Sequence, residues 1–101
     1  MIQPTVGRVV WFYPTPNGAE SGFARGSQPH AAIVAYVHGD RMVNLTVFDA
    51  NGNAHSMTSV PLRQPKDERP GGMFCEWMPY QKGQAAKTEE LEKQIAGDER
   101  L

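Results

Sequence analysis

Apolar and polar residues alternate in five short stretches of the chain, and a repeat of two is typical of β-strands. The stretches are rich in β-branched and aromatic residues, whereas glycine, proline, asparagine and aspartate collect between them. The predicted strands are residues 6–13, 30–37, 42–48, 54–61 and 73–80. The alternation therefore predicts a domain built from β-strands.

The second and third strands form the centre of this pattern, because only the short polar segment 38–41 separates them. Such spacing is typical of a β-hairpin, and the Asn51-Gly52 pair after the third strand favours a second tight turn. Alternation gives each central strand one apolar face. The core residues predicted from these faces are Ala31, Ile33, Ala35, Val37, Val43, Leu45 and Val47.

The composition changes after residue 80, where alanine, glutamate, lysine and glutamine become frequent. These strong helix formers predict a short helix with Thr88 as its N-cap and Gly97 just beyond its end. Leu91 and Ile95 give this helix one narrow apolar stripe. A helix with so little apolar surface must dock on the rest of the domain, pair with another chain or fray.

Five short strands, a long first loop and a terminal helix predict a mainly β fold, a small five-stranded SH3-like open barrel with a short C-terminal helix. A five-stranded oligonucleotide/oligosaccharide-binding barrel is the alternative. A chain of 101 residues is long enough for one core. We expect one β-barrel domain over residues 1–80 and a helical tail over residues 81–101.

Residues 14–29 contain repeated prolines and glycines, so they are predicted to form a long loop between the first two strands. Phe23 is the only large apolar side chain in this loop, and Arg25 is the only cationic one. Two interpretations stay open. Either Phe23 closes one end of the barrel while Arg25 is solvated, or both residues contact a ligand.

Charge and cysteine content narrow the classes of partner. Ten basic and eleven acidic residues leave a formal net charge of −1, which does not favour non-specific binding to nucleic acid. Cys75 is the only cysteine, so no intramolecular disulfide can form and a reducing compartment fits best. The short apolar run near the N-terminus is interrupted by Arg8, unlike a signal peptide or a membrane span. We therefore expect a soluble, cytoplasmic protein with no membrane partner.

The residues able to carry out chemistry show no motif for catalysis or metal binding. The three histidines and Cys75 lie on different predicted segments, without the spacing of a zinc site. Asp49, Asn51 and Asn53 match the start of a calcium-binding loop, but the later glycine and glutamate of that loop are missing. Neither a nucleophile elbow nor a phosphate-binding loop is present. The sequence therefore predicts no catalytic residue, no metal, no cofactor and no enzymatic activity.

Aromatic and cationic side chains are abundant in and beside the predicted loops, beyond what a core of this size buries. An aromatic ring can stack on a base and an arginine can bind a phosphate, which suits a nucleotide-like small molecule. Protein interfaces enrich the same residue types, so a protein partner stays open as well. The candidate ligand-binding residues are Trp11, Tyr13, Phe23, Arg25, Tyr36, Arg41, Arg63 and Trp77.

Three segments carry a resemblance to a known group of proteins: GRVVWFYP from Gly7, AAIVAYVHGDRMVNLTVFDANG from Ala31 and CEWMPYQKGQAAKTE from Cys75. They resemble small uncharacterised proteins of tailed bacteriophages and prophages, which share a GRVV opening, an AIV strand, a VNLxVF strand and an EWMPYQKGQAAK segment. The resemblance extends from Gly7 to Lys87 and includes no catalytic motif. It implies a phage origin, as an accessory protein or as a component of the virion.

Together these observations predict a non-enzymatic phage accessory binding protein that sequesters a host component, either a nucleotide-like defence signal or a host protein. Its expected site of action is the host bacterial cytoplasm. The alternative is a virion structural protein, such as a capsid decoration or a head–tail component. In either case we expect a homo-oligomer, because Leu91, Ile95 and a first strand that is apolar on both faces need cover.

Overall fold

The computed structural model describes residues 1–16, 23 and 28–99, and it describes side chains up to residue 94. The elements are β1 (Val9–Tyr13), β2 (His30–Gly39), β3 (Met42–Phe48), β4 (Ala54–Arg63), β5 (Phe74–Glu76) and α1 (Pro79–Glu99). Each predicted strand is present. β5 is shorter than predicted, β4 is longer, and α1 is much longer than the predicted helix.

The five strands close into a barrel in the order in which they occur along the chain. Neighbours are antiparallel from β1 to β4, β5 runs parallel to β4, and β5 pairs antiparallel with β1 to complete the circle. The predicted mainly β fold, a small five-stranded barrel with a C-terminal helix, is confirmed. The barrel is closed where the prediction had it open. Its sequential strand order differs from the Greek-key order of the alternative barrel.

The core consists of the inward-facing side chains of all five strands, and burying them from water is the main contribution to stability. The buried apolar residues of the strands that form this cluster are Val10, Phe12, Ala32, Val34, Val43, Leu45, Val47, Val60, Leu62 and Cys75. Ile2 and Trp77 close one end of the barrel, and Phe23 closes the other.

The prediction for the inner face of β2 was wrong. The residues that point inward are His30, Ala32 and Val34. The residues exposed on the outside are Ala31, Ile33 and Ala35. A register shift between Val34 and Tyr36 forms a bulge, after which Val37 is half-buried. Because β2 is apolar on both faces, alternation alone could not identify the inner one; the predicted core residues of β3 are buried as expected.

β1 begins at Val9, later than predicted. Gly7 has a φ of 94°, a left-handed conformation that suits a turn and not a strand. The Arg8 N–H donates to the Thr5 carbonyl oxygen at 3.3 Å, which closes this turn. The chain before the turn returns to the barrel, where Ile2 is buried.

α1 begins at Pro79, so the predicted start after Thr88 was wrong. Proline suits the first position of a helix, because the N–H that it lacks would have no partner there. The Gln81 side chain accepts a hydrogen bond from the Met78 N–H at 2.7 Å, as in one half of a capping box. The helix also continues past Gly97 to Glu99. The predicted fifth strand covered Pro79 and thereby concealed this start signal.

α1 contacts the rest of the molecule along one narrow stripe, apart from Lys82, which forms an ion pair with Glu76 of β5. The Gln81 side chain donates to the Val9 carbonyl oxygen at 3.0 Å, and Ala85 packs against the core. Glu89 Oε1 lies 3.3 Å from the N-terminal ammonium of Met1. These three contacts lie four residues apart, on one face of the helix.

The described side chains of α1 from Ala86 to Gln94 are exposed, and Leu91 keeps 58% of its surface in solvent. Leu91 therefore does not dock on the barrel, and the side chain of Ile95 lies outside the described part of the chain. The extended helix gives the molecule an elongated shape of 58 × 23 × 21 Å. No helix among the described residues combines the length and the apolar character needed to cross a membrane.

Candidate functional site

One end of the barrel is held together by the buried side chain of Gln64. Its amide oxygen accepts hydrogen bonds from the Ile2 N–H at 3.0 Å and from the Trp77 indole N–H at 3.2 Å. Its amide nitrogen donates to the carbonyl oxygens of Ile2 at 2.9 Å and Asp40 at 2.7 Å. All four hydrogen-bonding positions of the amide are used, so Gln64 has a structural role.

The opposite end is closed by Phe23, whose ring packs against Phe12, His30 and His55 at centroid distances of 5.5, 5.0 and 4.9 Å. His55 Nε2 lies 2.8 Å from Asp49 Oδ2. This hydrogen bond, together with backbone N–H groups of the β3–β4 turn, lowers the pKa of Asp49 to about 2. Phe23 therefore closes one end of the barrel, as the first of the two interpretations of residues 14–29 predicts.

Three of the candidate ligand-binding residues, Trp11, Tyr13 and Arg63, come together on the outside of the barrel beside β5. Glu76 is the direct neighbour of both Trp11 and Arg63 in the strand register. The Tyr13 ring stacks on the Phe74 ring at a centroid distance of 4.9 Å. We call this group, together with Arg69, the aromatic–arginine cluster.

Arg69 covers the two stacked rings of the cluster. Its guanidinium carbon lies 5.4 Å from the ring centroid of Tyr13 and 5.1 Å from that of Phe74, within the range of cation–π interactions. Burial raises the pKa of Tyr13, and the neighbouring Glu76 carboxylate raises it further. Arg69 therefore attaches the loop between β4 and β5 to the outside of β1.

The remaining charges of the cluster are balanced within it. Glu76 Oε2 contacts Arg63 Nη1 at 3.3 Å and Lys82 Nζ at 3.2 Å. Arg63 Nε also donates to the Asp67 carbonyl oxygen at 3.0 Å. Because these groups already have partners, the cluster offers less to an external ligand than its residue types suggest.

The other candidate ligand-binding residues lie apart from the cluster. Arg41 binds Asp67 through Nε at 2.9 Å and Nη2 at 3.3 Å. Tyr36 lies on the outside of β2 with 56% of its surface exposed. Trp77 is completely buried, and Arg25 lies outside the described residues. The described candidates therefore do not form a single site.

Five uncharged residues on the outside of β1, β2 and β3 form a continuous surface, which borders Glu76 of the aromatic–arginine cluster at Trp11. Val9 lies opposite Ile33, and Ile33 lies opposite Thr46, in one row across the three strands. Trp11 lies opposite Ala31 in the next row. Val9 is 39% exposed and Ile33 is 38% exposed. We call these five residues the outer apolar face.

A cleft of 560 Å³ lies between α1 and the N-terminal segment, and we call it the α1 cleft. One wall belongs to a row of helix residues spaced by four: Tyr80, Gln84, Thr88 and Glu92. The other wall includes Met1, Ile2 and Arg8. The prediction of ligand-binding residues did not include Arg8 or Tyr80. Pro79 and Gln81 together form a helix-start signal in the sequence. Recognising it would have placed this row of residues on a helix.

Cys75, His55 and His38 are engaged in structural contacts. Cys75 pairs with Phe12 and Leu62 in the barrel, and burial raises the pKa of its thiol to about 12. His55 contacts Asp49, as described above, and His38 Nε2 lies 2.9 Å from the Asn44 side-chain oxygen. Within the described ranges, no group of three or more histidine, cysteine or acidic residues could hold a metal ion.

Comparison of the chain with protein-family models, with curated proteins and with solved structures finds no match.

Proposed function

We propose that this protein is a non-enzymatic binding protein that captures a host protein through its outer apolar face. The observation that carries the proposal is the exposure of Val9 and Ile33 beside each other on the barrel surface, with the partly exposed Trp11 in the next row. Strand alternation normally leaves polar residues on the outside of a small barrel, so an apolar row there needs another explanation.

The composition of the outer apolar face favours a protein as the partner. The centres of protein interfaces are depleted of charged residues and enriched in aromatic ones. Trp11 provides a large, partly exposed ring, and Val9 and Ile33 provide aliphatic surface in the neighbouring row. A nucleic acid requires cations to neutralise its phosphates, and none of the five residues of this face is cationic.

The biological setting in the proposal is a phage accessory protein that acts in the host bacterial cytoplasm. This part rests on the resemblance to small phage and prophage proteins from Gly7 to Lys87. A small binding protein without catalytic machinery can inhibit a host protein simply by occupying its functional surface. The buried thiol of Cys75 and the paired His55 support a non-enzymatic role, because neither is available to attack a substrate.

The experiment uses three single substitutions of exposed residues. The tagged protein is incubated with host lysate, the retained proteins are identified by mass spectrometry, and the purified partner is then titrated by calorimetry. Val9→Lys and Ile33→Lys place a charge in the outer apolar face, and we expect each to weaken binding by about tenfold or more. Thr58→Lys adds the same charge at an exposed position of β4 outside that face, and it should bind like the wild type.

Two results would contradict the proposal. One is that no protein is retained above the level seen with an unrelated barrel of similar size. The other is that a purified partner binds the wild type and Ile33→Lys with equal affinity, because the outer apolar face would then lie outside the interface.

A virion structural protein is the second candidate function, and the exposed residues 86–94 of α1 favour it. Leu91 and its neighbours extend beyond the barrel, as a segment does when it reaches onto an adjacent subunit. The proposed role is a capsid decoration or a head–tail component. Mass spectrometry of purified particles tests it, because a structural component is present in fixed proportion to the capsid protein and an accessory protein is absent.

A further inference from the structure

The α1 cleft has the size and the wall chemistry of a small-ligand site. Its volume of 560 Å³ lies within the range of about 300–1,000 Å³ that is common for such sites. Ile2 and Ala85 contribute apolar surface, and the row of helix residues opposite Arg8 contributes polar groups. The cleft does not include any residue of the outer apolar face, so it is a separate feature of the molecule.

Arg8 is the cationic side chain that lines the cleft, and the buried ring of Trp77 supports it. Its guanidinium carbon lies 5.6 Å from the centroid of the Trp77 ring. Trp77 is completely buried, and its indole N–H donates to Gln64 at 3.2 Å. Within the described part of the chain, no carboxylate forms an ion pair with Arg8. A guanidinium that is held in this way is suited to bind an anion such as a phosphate.

Tyr80 is the aromatic residue of the cleft. It occupies the second position of α1 and is 74% exposed. No ring or cation among the described residues stacks on it. Every nucleobase has a π-face, and stacking of a base on an exposed aromatic side chain stabilises binding by about 1–3 kcal/mol.

The far end of the cleft limits the charge of a ligand. Glu89 and Glu92 both line it, and the Met1 ammonium balances Glu89 at 3.3 Å. The Glu92 carboxylate therefore repels a ligand that carries several phosphates, while it can accept hydrogen bonds from sugar hydroxyls or a base amino group. Gln84 and Thr88 offer further donors and acceptors between the two ends.

From these contacts we propose that the α1 cleft binds a nucleoside monophosphate. Arg8 contacts the phosphate, the base stacks on Tyr80, and the polar residues of α1 bind the sugar and the edge of the base. This site shares no residue with the protein interface proposed on the outer apolar face. Either proposal can therefore be disproved while the other stands.

The test is a titration of the full chain with adenosine, guanosine, cytidine and uridine monophosphates, followed by NMR of the backbone amides and by calorimetry. We expect at least one of them to shift the amide signals of Arg8, Tyr80 and Gln84. Arg8→Gln and Tyr80→Ala should each weaken binding by about tenfold. Lys87→Gln is the matched control, because it removes an exposed cation of α1 that does not line the cleft.

Three comparison ligands make the outcome decisive. The nucleoside without phosphate should bind about tenfold more weakly than the monophosphate, and the triphosphate should not bind more tightly. The proposal is overturned if no monophosphate shifts these signals, if Arg8→Gln binds like the wild type, or if inorganic phosphate alone binds equally well. Far-ultraviolet circular dichroism of Arg8→Gln and Tyr80→Ala establishes that loss of binding is not loss of fold.

Discussion

Gln64 joins three parts of the chain that are distant in sequence. Its amide bonds to both backbone groups of Ile2, to the Asp40 carbonyl in the β2–β3 turn and to the Trp77 indole after β5. A buried amide with four partners of this kind stabilises one arrangement of the surrounding segments and disfavours others. The Trp77 ring that Gln64 holds also supports Arg8. Gln64 therefore helps to determine one wall of the α1 cleft.

We predict that Gln64→Leu lowers the free energy of unfolding by about 2–4 kcal/mol, because the buried Trp77 N–H and the Asp40 carbonyl lose their partner. Chemical denaturation followed by tryptophan fluorescence measures the change. Gln3→Leu, at an exposed position of the same N-terminal segment, is the control and should stay within about 0.5 kcal/mol of the wild type. A loss of less than about 1 kcal/mol for Gln64→Leu would mean that water replaces the amide.

Asp49 makes stability depend on pH in the acid range. Its pKa is about 2 in the folded chain, below the value of about 3.9 expected for an unfolded chain. The charged form therefore stabilises the fold above about pH 4, and this contribution is lost as the pH falls toward 2. We expect Asp49→Asn to lose less stability than the wild type between pH 5 and pH 2, as measured by thermal unfolding.

His55→Gln removes the largest cause of the lowered pKa of Asp49 and should flatten the same part of the pH profile. Arg41 also lowers the pKa of Asp67, and both variants keep this contact. Their stability should therefore still fall somewhat in acid. Equal losses in Asp49→Asn and the wild type would show that the contact between Asp49 and His55 does not contribute to acid sensitivity.

Among the secondary-structure elements, α1 is the one attached most lightly. Its contacts with the barrel come from Gln81, Lys82 and Ala85, and its described side chains from Ala86 to Gln94 are exposed. Gly83 lies within this helix, and a Cβ atom added there would meet nothing within 4 Å. Glycine is unfavourable inside a helix because it loses more backbone freedom than alanine does.

We predict that Gly83→Ala and Gly52→Ala have opposite effects. Gly83→Ala should increase the free energy of unfolding by up to about 1 kcal/mol and raise the helical signal in circular dichroism. Gly52 has a φ of 85° in the β3–β4 turn, so Gly52→Ala should destabilise the protein by about 1–2 kcal/mol despite the open space around it. Changes of the same sign at both positions would contradict the assigned backbone conformations.

At the scale of the whole molecule, the charge pattern of α1 suits an antiparallel pair of helices. Residues 79–88 contain two lysines and no acidic residue, whereas residues 89–99 contain five acidic residues and one lysine. An antiparallel second copy would place the lysines of each helix opposite the acids of the other. Leu91 would then lose its exposure to solvent in the interface between the two copies.

We therefore expect the wild type to sediment as a dimer and Leu91→Lys to sediment as a monomer with unchanged barrel stability. Analytical ultracentrifugation at several protein concentrations measures both states. Ile33→Lys is the control, since it alters the outer apolar face and should remain a dimer. A monomeric wild type would contradict the predicted dimer. A dimer that Ile33→Lys disrupts and Leu91→Lys does not would show that the interface lies outside α1.

The sequence by itself determined the number of strands, their order and the tight turns between them. Alternation and turn residues act over a few neighbouring positions, so β3 could be predicted to the residue and β2 to its start. The Asn51-Gly52 pair likewise predicted the β3–β4 turn. These strands are short and carry apolar faces that must be buried, which favours a small SH3-like barrel.

Only the tertiary structure decided which faces and residues became available for binding. β2 is apolar on both sides, and its inner face depends on which strands pack across the barrel and on the bulge after Val34. Trp77 became a core residue, and Arg8 and Tyr80 came to share a cleft, because distant segments meet at Gln64 and along α1. Such contacts depend on the packing of the whole chain, which local patterns do not specify.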